Sequence, residues 1–155
     1  MPVTDKVIRV NIDSIIINRD ERQRRQILTK DLEASIARVG LIQPIVIDQN
    51  LVLRAGERRL QACKNLGHQD ILARFVEDLS PIEAQILELE ENLKRSELEW
   101  KDQVAAVSRV HQLYLSLDAD WTMAETAEAI SLAPGTVSMY LRVHRELAEG
   151  QAKSL

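Results

Sequence analysis

The hydrophobic pattern changes period once along the chain. Apolar and polar positions begin to alternate over Val7-Ile8-Arg9-Val10-Asn11-Ile12, as a half-buried strand requires. Residues 18–28 are polar and rich in arginine, which predicts a loop. Thr29 is placed to cap a helix whose apolar face is Leu32, Ile36 and Val39, with Gly40 as its stop. Pro44-Ile45-Val46-Ile47 reads as a short strand, Asp48-Gln49-Asn50 as a turn, and Leu51-Val52-Leu53 as the hairpin partner. Gly56 ends that strand and opens a helix with Leu60, Cys63 and Leu66 on one face, which stops at Gly67. Ile71 to Val76 has the composition of a further strand.

From residue 80 onward the period is helical. Ser80-Pro81-Ile82-Glu83 is a capping box with proline at the first helical position, and its helix carries Ile82, Ile86, Leu89 and Leu93. Ser96-Glu97-Leu98-Glu99 offers a second box, followed by a stripe of Val104, Val107, Val110/His111, Tyr114 and Leu117. Thr122-Met123-Ala124-Glu125 is a third. The fold class is therefore α+β: a small mixed α/β domain over 1–79 and an all-α domain over 80–155. No Gly/Ser/Pro linker separates them, and there is no internal repeat.

Composition narrows the class. A chain of 155 residues, 45% hydrophobic and 28% charged, can fold as one domain or two small ones; with 3% aromatics its core is built from aliphatic residues. No apolar run approaches the roughly 18 residues of a membrane span, and the N-terminus has no signal-peptide pattern. A single cysteine, Cys63, excludes an internal disulfide. These features imply a cytoplasmic protein without a membrane partner. The net charge of −4 conceals an asymmetry: residues 1–79 hold 13 Lys/Arg against 11 Asp/Glu, a net of +2, whereas residues 80–155 hold 7 against 13, a net of −6.

Two stretches carry candidate chemistry. Residues 122–143 read as helix, tight turn, helix: Ala127 and Ile130 on the first, a break at Ser131-Leu132-Ala133, then Pro134 opening a second with Val137, Tyr140 and Leu141 inward. Thr136, Ser138, Met139 and Arg142 would face outward, where such a motif reads base edges, and Arg145 lies a turn further on. A plain helical hairpin has the same pattern, and the charges of 122–145 cancel, so this module alone would hold DNA weakly. The second stretch is Gly56-Glu57-Arg58-Arg59, where a strand gives way to a helix. A glycine, a helix start and two forked donors suit a polyphosphate; a helix start with surface ion pairs is the plainer alternative. No Walker loop is present. Near the end of the helix from Ser80, Glu91 and Arg95 can form an ordinary i,i+4 pair, or Glu91 and Asn92 can offer oxygens to Mg²⁺ beside phosphates. The three histidines are isolated, which argues against zinc.

Taken in order, these pieces resemble the N-terminal and central domains of ParB-type partition proteins. The matching residues are Ser35-Ile36, Gly40-Leu41-Ile42-Gln43-Pro44-Ile45-Val46-Ile47, Gly56-Glu57-Arg58-Arg59 with Ala62, Glu91-Asn92, Arg95 and Leu98, and the helix-turn-helix at about 122–143. The resemblance spans roughly 7–147 and implies a ParB/sulfiredoxin-like nucleotide-binding domain followed by a helical DNA-binding domain. By the same resemblance the protein is a CTP-dependent clamp on double-stranded DNA in plasmid or chromosome partition. CTP would be held by Arg22, Arg24, Gln43, Pro44, Gly56, Glu57, Arg58, Arg59, Glu91, Asn92 and Arg95, with the Gln43-Pro44 segment lining the nucleobase pocket. Mg²⁺ would be held at Glu91 and Asn92. Slow CTP hydrolysis would involve Gln23 and Glu57, self-association the N-terminal domain, and a ParA-type ATPase would be a partner.

The sequence departs from the family pattern in places. Arg22-Gln23-Arg24-Arg25 replaces the usual Gln-Pro-Arg loop, Ala133-Pro134 the usual Ser-Arg before the recognition helix, and Trp100 the usual proline. The N-terminal tail lacks the basic arm that meets the ATPase, and the chain stops soon after Leu147, without the family's C-terminal dimerisation domain. Two alternatives stand beside the clamp. One is a ParB-related transcription regulator of a phage, plasmid or mobile element. The other is an enzyme on the same fold, a sulfiredoxin-like reductase or a nuclease. A sulfiredoxin needs cysteine in its phosphate loop, and residues 55–59 have none.

Overall fold

The computed structural model describes residues 6–18, 29–40, 43–95 and 98–153. The chain divides into two compact units, Met1–Leu79 and Ser80–Leu155. The first is mixed α/β and the second, among the described residues, is entirely helical.

The first unit holds one four-stranded sheet of β1 (Ile8–Asn11), β2 (Ile45–Ile47), β3 (Leu53–Ala55) and β4 (Asp70–Phe75), in the spatial order β1-β4-β2-β3. β1 pairs antiparallel with β4, β4 parallel with β2, and β2 antiparallel with β3. The parallel pair needs a long crossover; the chain makes it through β3 and the helix α2 (Glu57–Asn65). Ile45 and Ile47 of β2 and Ile71 and Ala73 of β4 share a core with Ile36 of α1 (Lys30–Val39) and Leu60, Ala62 and Cys63 of α2.

Several local expectations shift. The hairpin strand starts later than Leu51. The Asp48 carboxylate accepts from the Asn50 and Val52 amides at 2.8 and 3.0 Å, and Leu51 takes a φ of +66° to close the turn. Val52 then bridges in parallel to Ile16, and β3 runs from Leu53. Thr29 stands at the cap of α1, but its hydroxyl donates to Glu33 Oε2 at 2.6 Å instead of accepting from the helix. Val39, at the last position of α1, is exposed; Ile36 is the residue that faces the sheet.

The second unit consists of α3 (Pro81–Lys94), α4 (Trp100–Leu117), α5 (Met123–Ile130) and α6 (Pro134–Lys153). The boxes at Ser80/Glu83 and Thr122/Glu125 both form reciprocally. The box expected at Ser96 does not start α4: its cap residue is Glu99, which makes no side-chain cap bond, and Ser96 and Glu97 lie outside the described residues. Val107, Val110, Ala127, Ile130 and Val137 form the core, with Leu89, Leu93, Tyr114, Leu132, Tyr140 and Leu141 packed on it. Leu117, assigned to the stripe, is exposed because α4 ends there.

Candidate functional site

The site in the first unit is built where β3 hands over to α2. Gly56 caps the helix with a φ of +100°, a left-handed conformation that L side chains rarely adopt. It is also crowded. A Cβ at this position would sit 2.7 Å from Ile45 Cγ2 and 3.3 Å from Ile45 Cα. The glycine is thus needed for the close approach of α2 to β2. Gly56 offers no side-chain cap, and the first helical bond runs from Leu60 N–H to the Gly56 carbonyl at 2.9 Å. A helix start of this kind directs its first-turn N–H groups and the positive end of its dipole outward, which suits an anion. Glu57, Arg58 and Gly56 are half-buried there.

Arg59 behaves differently from its neighbour. It is 7% exposed, and its Nη1 donates to the Pro44 carbonyl at 2.7 Å and, more weakly, to the Gln43 carbonyl at 3.4 Å. Arg59, expected from the resemblance to hold nucleotide, is a buried guanidinium bonded to main chain in this structure. Its position carried the signal: Ala62 and Cys63, three and four residues on, share its helix face and are buried.

A polar clasp joins α1 to the far end of α2. Asn65 Nδ2 donates to Glu33 Oε2 at 2.9 Å and to Thr29 Oγ1 at 3.2 Å, and Gln61 Nε2 donates to Asn65 Oδ1 at 2.9 Å. The Thr29 hydroxyl, then the Asn65 amide, hold the Glu33 carboxyl below its usual range. Cys63 is 1% exposed, and burial pushes its thiol up, which makes it a poor nucleophile. Among the sequence candidates, Arg22, Gln23 and Arg24 lie outside the described residues, as do Arg25, Leu41 and Ile42.

In the second unit, Glu91 and Asn92 are half-buried on α3, and Arg95 is exposed at its end. Ser138, Met139, Arg142 and Arg145 are exposed along α6, and Thr136 is half-buried. α5 and α6 are joined by 131–133, with Ser131 at a φ of +60° donating its N–H to the last turn of α5. Behind this surface lies a network that composition did not suggest. Trp121 Nε1 donates to Thr126 Oγ1 at 2.7 Å, and the Thr126 hydroxyl meets His111 Nδ1 at 2.7 Å. Burial holds the His111 imidazole below its usual range. Trp121 also stacks on Tyr114, with centroids 4.0 Å apart and planes 8° off parallel, and Tyr114 donates to the buried Glu90 at 2.5 Å. One signal was available: Trp121 and Thr126 occupy the two positions, one before the cap and four after it, that close a hydrophobic staple.

No described helix is long and apolar enough to cross a membrane, and no group of three or more His, Cys, Asp or Glu among the described residues can hold a metal ion. The chain is similar to the nucleoid occlusion protein of Oceanobacillus iheyensis, at 31% identity over 147 residues that cover 90% of this chain and 49% of the relative. It is similar to the probable chromosome-partitioning protein ParB of Rickettsia typhi, at 26% identity over 147 residues that cover 93% and 49%. The chain thus spans about half the length of the curated relatives it matches. Among solved structures, a C-terminally truncated chromosome-partitioning protein ParB from Caulobacter crescentus complexed with CTP-gamma-S matches at 21% identity with a TM-score of 0.44. That match covers 91% of this chain and 79% of the other. Residues 2–93 match the family model described as the ParB N-terminal domain, well over half of the sequence, and the chain belongs to that family.

Proposed function

We propose that this chain is the nucleotide-sensing and DNA-binding part of a ParB-type clamp acting in plasmid or chromosome partition. The observation that carries the reading is the α2 helix start, with Gly56 and Arg58, inside a segment that matches the ParB N-terminal domain. The relatives are named for nucleoid occlusion and for chromosome partitioning, which supports the reading. In this reading the phosphates of CTP meet Gly56, Glu57 and Arg58, the base meets the Gln43-Pro44 segment, and Glu91, Asn92 and Arg95 complete the nucleotide set by family resemblance. A carboxylate and an amide oxygen suit a magnesium ion that keeps waters and phosphates as its other ligands. Bound nucleotide favours a closed pair of N-terminal domains by its differential affinity for that state. Gln23 and Glu57 are the residues to test for slow hydrolysis.

The DNA contacts fall to Ser138, Met139, Arg142 and Arg145, with Thr136 at the base of the same helix. The cancelling charges of 122–145 favour a second reading, a ParB-related transcription regulator that depends on dimerisation for affinity. Calorimetry with CTP, ATP, GTP and UTP, each with Mg²⁺ and with or without duplex DNA, separates the two. CTP-selective binding supports the clamp; DNA binding that no nucleotide alters supports the regulator. Association with a ParA-type ATPase, tested by pull-down with the purified ATPase, would favour partition.

A further inference from the structure

We propose that Arg59 determines base specificity as a positioning residue: it holds the Gln43 and Pro44 carbonyls in place and leaves the phosphates to the helix start and Arg58. The inference rests on the nucleotide reading above and assigns a different task to one member of its motif. Two adjacent anchors tie the entry of β2 to the first turn of α2. Pro44 is held through its carbonyl by Arg59 Nη1 at 2.7 Å, and Ile45 lies against Gly56 so closely that no Cβ fits between them. The Gln43 carbonyl, at 3.4 Å from the same nitrogen, is a looser third point.

The chemistry follows from the donor and acceptor inventory. Each main-chain carbonyl has two lone pairs, so one held by Arg59 keeps a second acceptor site whose direction is now fixed. Distinguishing cytosine from uracil depends on placing donors and acceptors against an exocyclic amine in one case and a carbonyl in the other, and such discrimination is lost when the supporting groups are slack. Phosphate affinity is long-ranged and electrostatic and tolerates the same slack. A guanidinium at 7% exposure that is committed to neutral carbonyls therefore acts on selectivity. Both bonds come from one nitrogen, Nη1; lysine would keep the charge and a donor, but on a flexible stem without the rigid planar guanidinium that fixes that donor's direction.

The test titrates the full chain and its Arg59→Ala, Arg59→Lys and Arg58→Ala variants with CTP, UTP and inorganic tripolyphosphate in the presence of Mg²⁺. For Arg59→Ala the CTP-to-UTP affinity ratio is expected to fall about tenfold or more while tripolyphosphate affinity stays within about threefold. Arg59→Lys should give an intermediate ratio, and Arg58→Ala should weaken all three ligands together. Parallel loss of all three in Arg59→Ala, with the ratio unchanged, would make Arg59 a phosphate ligand and overturn the proposal. A wild-type chain that binds none of them removes the nucleotide reading itself, which is a separate outcome. Should circular dichroism show Arg59→Ala unfolded, Arg59→Lys decides: an unchanged ratio refutes the role and a reduced ratio at constant tripolyphosphate affinity supports it.

Discussion

The two units bury polar groups for opposite purposes. In the first, apart from the side-chain clasp of Thr29, Glu33 and Asn65 between α1 and α2, buried or half-buried polar side chains hold main chain: Arg59 on Gln43 and Pro44, Asp48 on the turn amides, Arg74 on the Asp78 carbonyl at 3.0 Å. In the second, they hold one another: Trp121 on Thr126, Thr126 on His111, Tyr114 on Glu90. Helices satisfy their own backbone, so in an all-α unit only side chains remain to specify how the elements meet. A sheet of short strands leaves turns and strand ends whose carbonyls and amides need partners. The first unit therefore presents fixed main chain, which is what a ligand site needs, and the second presents a fixed helix surface, which is what a groove reader needs.

The contrast can be broken at its strongest point first. Gly56→Ala combines a left-handed φ with a 2.7 Å clash on Ile45 Cγ2, and should cost about 3 kcal/mol in urea-induced unfolding. A cost below that of an ordinary surface substitution would show that α2 can move off β2. In the second unit, Thr126→Val keeps the shape but removes the acceptor of a buried indole N–H and the hydrogen-bond partner of His111, at a cost of about 2 kcal/mol. Adding Trp121→Phe should recover part of that loss, since the orphaned donor is then gone. Caps are worth less: Thr122→Ala should cost about 1 kcal/mol by loss of the box with Glu125.

The smallest expected effect is a pH dependence of stability. His111 is held neutral by burial, so its folded value lies below that of the unfolded chain, which takes up the proton first as pH falls. The resulting stability is complete above the ordinary histidine range near about 6.5, declines as pH drops through that range, and stops declining below the folded value. Thermal melts between about pH 7.5 and 5 should show this decline in the wild type and a weaker one in His111→Asn. Glu33 in the first unit has its carboxyl lowered by Thr29 and Asn65, so its contribution holds above the usual carboxylate range and is lost only in stronger acid.

Features set by residues a few positions apart were legible in the chain. Ser80/Glu83 and Thr122/Glu125 formed as boxes because both partners sit within one turn, and β1 and β2 followed from apolar runs bounded by turn residues. Features set by distant partners were not. Gly56 was marked at the right position, but Ile45, which makes the glycine necessary, lies eleven positions earlier and meets it only once β2 and α2 pack. Leu51 in a left-handed turn runs against propensity and is held there by Asp48. Arg58 and Arg59 look alike as letters; only the helical rotation that puts Arg59 beside Ala62 and Cys63 turns it inward. Fold class thus came from period and caps, whereas the division of labour within the site required the packed structure.

The central claim is that the first turn of α2 receives a nucleotide's phosphates. Amide resonances of Glu57, Arg58 and Arg59 followed by NMR during titration with Mg²⁺–CTP test it directly. The account predicts large, saturable shifts at these three amides and at Ile45, abolished by Arg58→Ala. Shifts confined to other parts of the chain, with the start of α2 unmoved at saturation, would contradict it.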